Sequence, residues 1–342
     1  MPEPLLQLRG LAMHFPLRRG FGAWAQRRPA EVLRAVDGVD LDVGRGEMVG
    51  LVGESGCGKS TLGRCIVGLY EPTAGTIRYD DQELGVDRAR SERRRIQMVF
   101  QDPYSSLNPR MTVRQTLAEL LRAHAMVPRD AVDARCRELL DLVGLSSRAL
   151  DAHPRQFSGG QRQRVSIARA LALEPELLVA DEPVSALDVS VQATVLNLLE
   201  ELREKLGLGV LLIAHNMAVV RHVCDRVAVM YLGRIVETAA TDELFTSPRH
   251  PYTQGLLKAV PRLVPGRVSE AVGVVGDPPS PVDLPSGCRF HPRCPIAQEP
   301  LCSTDDPPLA PGPGRATHRA ACHFAWREPP PRHTPEILQE AT

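Results

Sequence analysis

A chain of 342 residues, 43% hydrophobic and 24% charged, can bury one large core and carry a smaller second unit, which excludes a disordered protein. Lys+Arg and Asp+Glu both number 41, so no net field draws the whole molecule to nucleic acid or to an anionic membrane. The first residues lack a basic stretch followed by an apolar one, and no run approaches the ~18 apolar residues of a spanning helix, so the chain is expected to be soluble and to stay in the cytoplasm. In a reducing cytosol its eight cysteines are left to burial, metal binding or redox chemistry.

From Leu5 to about Phe245, short apolar runs alternate with helical-period stretches, which predicts an α/β fold with buried parallel strands. The run from Met48 to Val52 leads into Gly53-Glu54-Ser55-Gly56-Cys57-Gly58-Lys59-Ser60-Thr61 and then an apolar-periodic helix from Thr61 to about Leu69. The loop matches the phosphate-binding pattern G-x-x-x-x-G-K-[ST]. Its glycines let backbone N–H groups turn inward around phosphates, and the following helix aims its positive end at them. Lys59 is then placed to reach the β- and γ-phosphates, and Ser60 to offer its hydroxyl to Mg²⁺. The basic run from Arg88 to Arg95 reads as a solvated face; without interleaved aromatics it is no nucleic-acid site.

Helical patterning over residues 113–121 and 136–143 predicts an inserted helical subdomain spanning about 104–173. Inside it, Phe157-Ser158-Gly159-Gly160-Gln161-Arg162-Gln163-Arg164 precedes a helix from about Val165 to Leu173 and makes a second anion-binding terminus. One chain binding one ATP has no need of two. The apolar run from Leu177 to Ala180 ends in Asp181-Glu182, where Asp181 can hold Mg²⁺ through water and Glu182 can polarise an attacking water. Taken alone, that pair is equally a solvated strand end. After Ser247 the texture changes: most of the 30 prolines fall there, and apolar runs are few.

The segment from Phe157 to Arg164 resembles the LSGGQ-type signature of the ABC ATPase family, and the resemblance covers the span from about Leu5 to Phe245. It implies an ABC ATPase domain over residues 1–246, with a RecA-like P-loop core plus antiparallel β and helical subdomains, that binds ATP and Mg²⁺. Ser158, Gly159, Gly160 and Gln161 would bind the γ-phosphate of ATP held by the opposite subunit. Gln101, in Val99-Phe100-Gln101-Asp102-Pro103, matches the Q-loop, which contacts Mg²⁺ and the attacking water. Ser185-Ala186-Leu187-Asp188 matches the D-loop, and His215 matches the switch histidine near the γ-phosphate. Phe15 stands where the family places an aromatic that stacks on adenine; the family residue is commonly Tyr, and core packing is an equal use for the ring. Cys57, beside Lys59 at a helix start, is either a thiol of lowered pKa or a small residue filling the loop.

Gln101-Asp102-Pro103-Tyr104-Ser105-Ser106-Leu107-Asn108-Pro109, Pro248-Arg249-His250-Pro251-Tyr252-Thr253 and the Cys- and Pro-rich tail resemble the oligopeptide/dipeptide importer ATPases, nearly end to end. The stretch from Arg18 to Arg34 with Trp24 resembles an insertion of those ATPases, or is a solvated loop. The resemblance implies a small C-terminal domain over 247–342 and a peripheral place on the cytoplasmic face of the inner membrane. It also implies a related second ATPase, two permeases and an extracytoplasmic solute-binding protein as partners. Relatives with such a tail carry peptides, nickel, glutathione or oligosaccharides; a soluble non-transport role would call for a coiled-coil insertion or a second ABC module, and neither is present.

Cys288, Cys294, Cys302 and Cys322 follow the spacing C-x5-C-x7-C-x19-C in a segment too poor in apolar residues to support itself. Four thiolates are what a [4Fe-4S] cluster requires, and the paired C-x2-C knuckles of structural zinc are missing. The pattern resembles that of peptide-importer ATPases, some of which carry such a cluster there; zinc and unligated thiols remain alternatives.

Overall fold

The computed structural model describes residues 4–17, 31–85, 87–102, 106–259 and 273–326. Most of the 18–34 insertion, with Trp24, and residues 103–105 after the Q-loop glutamine lie outside them.

In chain order, β1 (Pro4–Pro16), β2 (Val32–Gly44) and β3 (Met48–Val52) precede α1 (Lys59–Ile66), β4 (Ala74–Tyr79), β5 (Gln82–Glu83), α2 (Arg90–Arg95) and β6 (Ile96–Val99). The inserted helices follow as α3 (Val113–Ala123), α4 (Val132–Leu142) and α5 (Gly159–Leu171). The chain then returns through β7 (Leu177–Asp181), α6 (Val189–Leu206), β8 (Gly209–Ala214), α7 (Met217–Val223), β9 (Arg226–Tyr231) and β10 (Arg234–Ala240). Two short helices, α8 (Thr241–Thr246) and α9 (Pro251–Lys258), lead into the tail, which forms α10 (Leu301–Thr304), β11 (Ala310–Gly312) and β12 (Arg315–Ala320).

Among the described residues these strands make two sheets, an antiparallel one in the order β2-β1-β4-β5 and a mixed one in the order β11-β12-β10-β9-β3-β8-β7-β6. Strands β3, β7 and β8 are buried at every residue, as a parallel sheet covered on both faces requires. Strand pleating still sorts their side chains. Met48, Val52, Leu178, Ala180, Val210 and Leu212 join a core that includes α3 to α7, whereas Val49, Leu51, Leu177, Val179, Leu211 and Ile213 join a core with β1, β2 and α1. Helix α3 starts on a capping box, in which the Gln115 N–H donates to Thr112 Oγ1 at 3.2 Å and the Thr112 N–H to Gln115 Oε1 at 2.9 Å.

The basic run is not a solvated face throughout. Arg88 is 8% exposed and donates to the carbonyls of Cys65, at 3.2 Å, and Ile66, closing the C-terminal end of α1. Arg95 bridges Glu176 (2.6 Å) and Asp80 (2.7 Å) and lies 4.7 Å from the centroid of the Tyr79 ring. Arginine density says how much charge a segment carries; which guanidinium turns inward depends on the carbonyls and carboxylates that the fold brings to it.

The tail extends the main sheet. Strand β12 pairs with β10 through Glu237↔Ala320 and Thr238↔Arg319, and β11 adds to β12. Under this junction the fully buried Glu237 carboxylate accepts the N–H groups of Arg249 (2.7 Å) and His250 (2.9 Å) and pairs with the equally buried His318 Nε2 (2.7 Å). His250 Nδ1 accepts the Tyr252 N–H at 3.0 Å and so caps α9 as a neutral ring. Burial pushes its pKa down to about 4. Between pH 6.5 and 4 the unfolded chain therefore binds the extra proton, and stability should fall as pH drops through that window, by a few kcal/mol at about 1.4 kcal/mol per unit. His250→Asn keeps a capping acceptor without the titration. Denaturant unfolding at pH 7 and pH 4.5 should show a smaller acid loss in the variant than in the parent; equal losses would remove His250 as the cause.

Candidate functional site

Strand β3, in the interior of the main sheet between β8 and β9, leads at its C-terminal end into the phosphate loop. Gly58, which opens α1, has φ 109°, and a Cβ there would stand 2.0 Å from the Ala35 carbonyl oxygen, so only glycine fits. Lys59 is 4% exposed, and its ammonium donates to the Gly53 and Glu54 carbonyls at 2.8 and 2.9 Å, which holds it along the inside of the loop.

Next to it, Ser60 Oγ donates to Asp181 Oδ1 at 2.8 Å. Asp181 ends β7 and is 2% exposed, and burial pushes its carboxyl above the usual range against the lowering effect of the Ser60 hydrogen bond. A hydroxyl and a buried carboxylate side by side are compact oxygen donors of the kind Mg²⁺ takes, so the pair fits that ion.

Glu182 leaves the strand with φ 45°, its N–H still bonded to the Ile213 carbonyl at 3.0 Å. This left-handed turn brings its carboxylate between two partners: Oε2 accepts from Gln101 Nε2 at 3.0 Å and lies 3.2 Å from His215 Nδ1. Three side chains from beyond the adjacent strands β6, β7 and β8 thus meet at one carboxylate oxygen.

The signature residues stand apart from this cluster on the helical lobe. Ser158 Oγ accepts the Gln161 N–H at 3.3 Å, and Gln161 Oε1 accepts the Ser158 N–H at 2.9 Å, so both side chains form the capping box that starts α5. The helix begins at Gly159, earlier than the predicted Val165, because this box makes the glycines its first turn. A Cβ on Gly160 would fall 2.3 Å from Val191 Cγ1, so α5 lies directly against α6, whose N-cap is the D-loop residue Asp188. Phe15 is half-buried and meets Tyr70 edge-on, with ring centroids 5.6 Å apart.

The reading of Cys57 as a thiol of lowered pKa does not hold. The side chain is 4% exposed, and burial raises its pKa more than Lys59, 3.7 Å away, lowers it. It fills the loop. Cys65, Cys136 and Cys224 are buried as well.

In the tail, the Cys288 N–H donates to the Cys302 carbonyl at 2.9 Å, and backbone N–H groups of Gln298 and Phe324 reach the sulfurs of Cys302 and Cys322 at 3.4 Å. Burial pushes the Cys288 pKa up to about 11 against the lowering effect of a backbone hydrogen bond from Phe290. Among the described residues no group of three or more His, Cys, Asp and Glu side chains is placed to hold a metal ion.

Residues 36–185 match the ABC transporter family, and residues 236–302 match the family described as oligopeptide/dipeptide transporter, C-terminal region. The oligopeptide transport ATP-binding protein AppF of Bacillus subtilis is 47% identical over 328 residues, covering 94% of this chain and 98% of its own. The chain belongs to the ABC ATPases of the oligopeptide/dipeptide transporter family. It is therefore an ATP-hydrolysing transporter subunit. The dipeptide transport ATP-binding protein DppF of Escherichia coli is 46% identical and covers 86% of this ABC ATPase and 87% of its own length. Among solved structures, cbiO1 of Clostridium perfringens, part of the ABC transporter complex cbiONQ, superposes with a TM-score of 0.60 at 28% identity, covering 71% of this chain and 91% of that one. A dimeric ATP-binding cassette bound to ADP and Pi in a post-hydrolysis state gives 0.59 at 29%, covering 69% and 98%. No helix among the described residues of the ABC ATPase is long and apolar enough to cross a membrane.

Sequence reasoning missed one set of residues at this site. Glu54, within the phosphate loop, is held by Arg293 and Tyr252 of the tail. A conventional x position in the motif carries no signal of such partners.

Proposed function

We propose that this ATPase powers the uptake of oligopeptides or dipeptides from the cytoplasmic face of the inner membrane, as a peripheral subunit paired with a second, related ATPase on two permeases. An extracytoplasmic solute-binding protein supplies the peptide. The observation that carries the reading is the near full-length likeness to AppF, tail included. Residues 1–246 are read as the ATPase domain and 247–342 as the family's C-terminal region.

In this reading Glu182 polarises the attacking water, with Gln101 and His215 orienting it, and Ser60, Asp181 and Gln101 would hold Mg²⁺. Mg²⁺ would neutralise charge developing on the β- and γ-phosphates. The loop from Gly53 to Thr61 cradles the triphosphate, and Phe15 stacks on the adenine. Ser158, Gly159, Gly160, Gln161 and Asp188 serve the nucleotide of the opposite subunit. The test is the transporter in proteoliposomes: a peptide-loaded binding protein should raise ATP hydrolysis and fill the vesicles with peptide. Stimulation by nickel, glutathione or an oligosaccharide in place of peptide would sink the substrate assignment.

Cys288, Cys294, Cys302 and Cys322 are read as ligands of a [4Fe-4S] cluster that supports the tail. The four-cysteine spacing and the match of residues 236–302 to the family's C-terminal region carry this reading, and backbone N–H groups reach the sulfurs of Cys302 and Cys322 at 3.4 Å. Protein purified without oxygen should be brown and carry about four iron atoms per chain. Colourless protein holding one zinc, or four freely titrating thiols with the tail intact, would end this reading.

A further inference from the structure

The tail reaches the ATP site at Glu54. The Glu54 N–H donates to Tyr252 Oη at 2.8 Å, and its carboxylate accepts Nη1 and Nη2 of Arg293 at 2.7 and 2.9 Å, a two-pronged pair. The carbonyl of the same residue accepts the Lys59 ammonium. One loop residue therefore touches the tail through its side chain and N–H, and the phosphate-binding lysine through its C=O.

The arginine is built in. Its side chain is 5% exposed, it donates to the Gly276 carbonyl at 2.7 Å, and its guanidinium lies 5.8 Å from the centroid of the Tyr231 ring. Tyr231 packs in turn on Tyr252 and Phe290, with centroids 4.6 and 5.3 Å away. At the other end of the same short segment, Arg289 donates to the Leu232 carbonyl and to Asp37, whose carboxylate is 2.8 Å from the Nε2 of His14, the neighbour of Phe15. The stretch from Arg289 to Arg293 thus grips both the adenine side and the phosphate side of the site.

A carboxylate in the wall of a triphosphate site repels its ligand unless a cation cancels it. We infer that Arg293 is a positioning residue for ATP binding, one that neutralises Glu54 and turns its carboxylate away from the phosphates, so that the tail sets the affinity of the phosphate loop. This concerns the nucleotide and stands whichever solute is carried.

The test is steady-state kinetics of the assembled transporter. Arg293→Ala should raise the KM for MgATP about tenfold, the scale of one uncancelled charge near a protein surface, with a much smaller change in kcat. Arg293→Lys should lie between, because it restores the charge without the fork. Adding Glu54→Gln to Arg293→Ala should bring the KM back towards the parent value, which no general loosening of the tail would produce. An unchanged KM in a folded Arg293→Ala protein, or a double variant as weak as the single one, would overturn the inference. If Arg293→Ala fails to fold, Arg293→Gln decides, since it keeps most of the packing and a donor to Glu54 but not the charge: its KM for MgATP should rise on the same scale, and an unchanged KM would overturn the inference.

Discussion

Glu182→Gln is expected to leave MgATP bound and to cut steady-state turnover by about 10²–10⁴-fold, the usual cost of losing a general base. The amide fits the same space, so neither the sheet nor the phosphate loop should be disturbed. What it loses is a charged oxygen. In the structure Oε2 of Glu182 accepts from Gln101 and faces His215, and an amide oxygen polarises water far less than a carboxylate at the same place. Asp181, bonded to Ser60 one residue earlier, keeps its place, so nucleotide binding and hydrolysis should separate. The measurement is single-turnover and steady-state hydrolysis beside equilibrium binding of a labelled nucleotide. Turnover near the parent rate in the assembled transporter would remove Glu182 from the role.

Ser158→Arg should act on the other subunit. The side chains of Ser158 and Gln161 bond to the start of their own helix, and Gly160 is pressed against α6, so the motif is a capped helix terminus. In the proposed assembly this terminus meets the triphosphate on a second ATPase. An arginine there fills the gap between subunits and removes the hydroxyl, and hydrolysis at the partner's site should fall by about 10²-fold or more, the scale of a lost preorganised donor. The change also removes a cap worth about 1 kcal/mol, so thermal unfolding of the variant has to be recorded alongside. In a complex of one Ser158→Arg chain and one intact partner, photolabelling with an ATP analogue should still mark the variant's own loop while the partner's turnover is lost. If only the variant's own nucleotide is affected, the head-to-tail arrangement is wrong.

The difference between what was legible in the chain and what was not follows the range of the interactions. The phosphate loop, the parallel strands around it, the serine that opens the signature helix and the acidic end of β7 could all be read from the sequence, because spacing, periodicity and capping act within a few residues. The meeting of Gln101, Glu182 and His215 could be read only through the family's pattern, and the left-handed turn at Glu182 that aims the carboxylate was not visible at all. Periodicity reports a buried face and stays silent about what covers it. Cys57 sits beside a lysine in sequence, yet the walls that bury it come from elsewhere and reverse the expected shift. Arg88 and Arg95 look alike in a basic run, and only the end of α1 and Glu176 distinguish them from their solvated neighbours. The tail is the largest case. Proline and cysteine density said that it could not build a core of its own, but Glu54 and Arg293 are 239 residues apart, and only the pairing of β12 with β10 and the packing of Phe290 under the loop bring them together. Local chemistry determined the phosphate-binding parts, and tertiary packing alone decided which distant side chains hold them, since a contact across such a separation depends on the whole sheet being formed first.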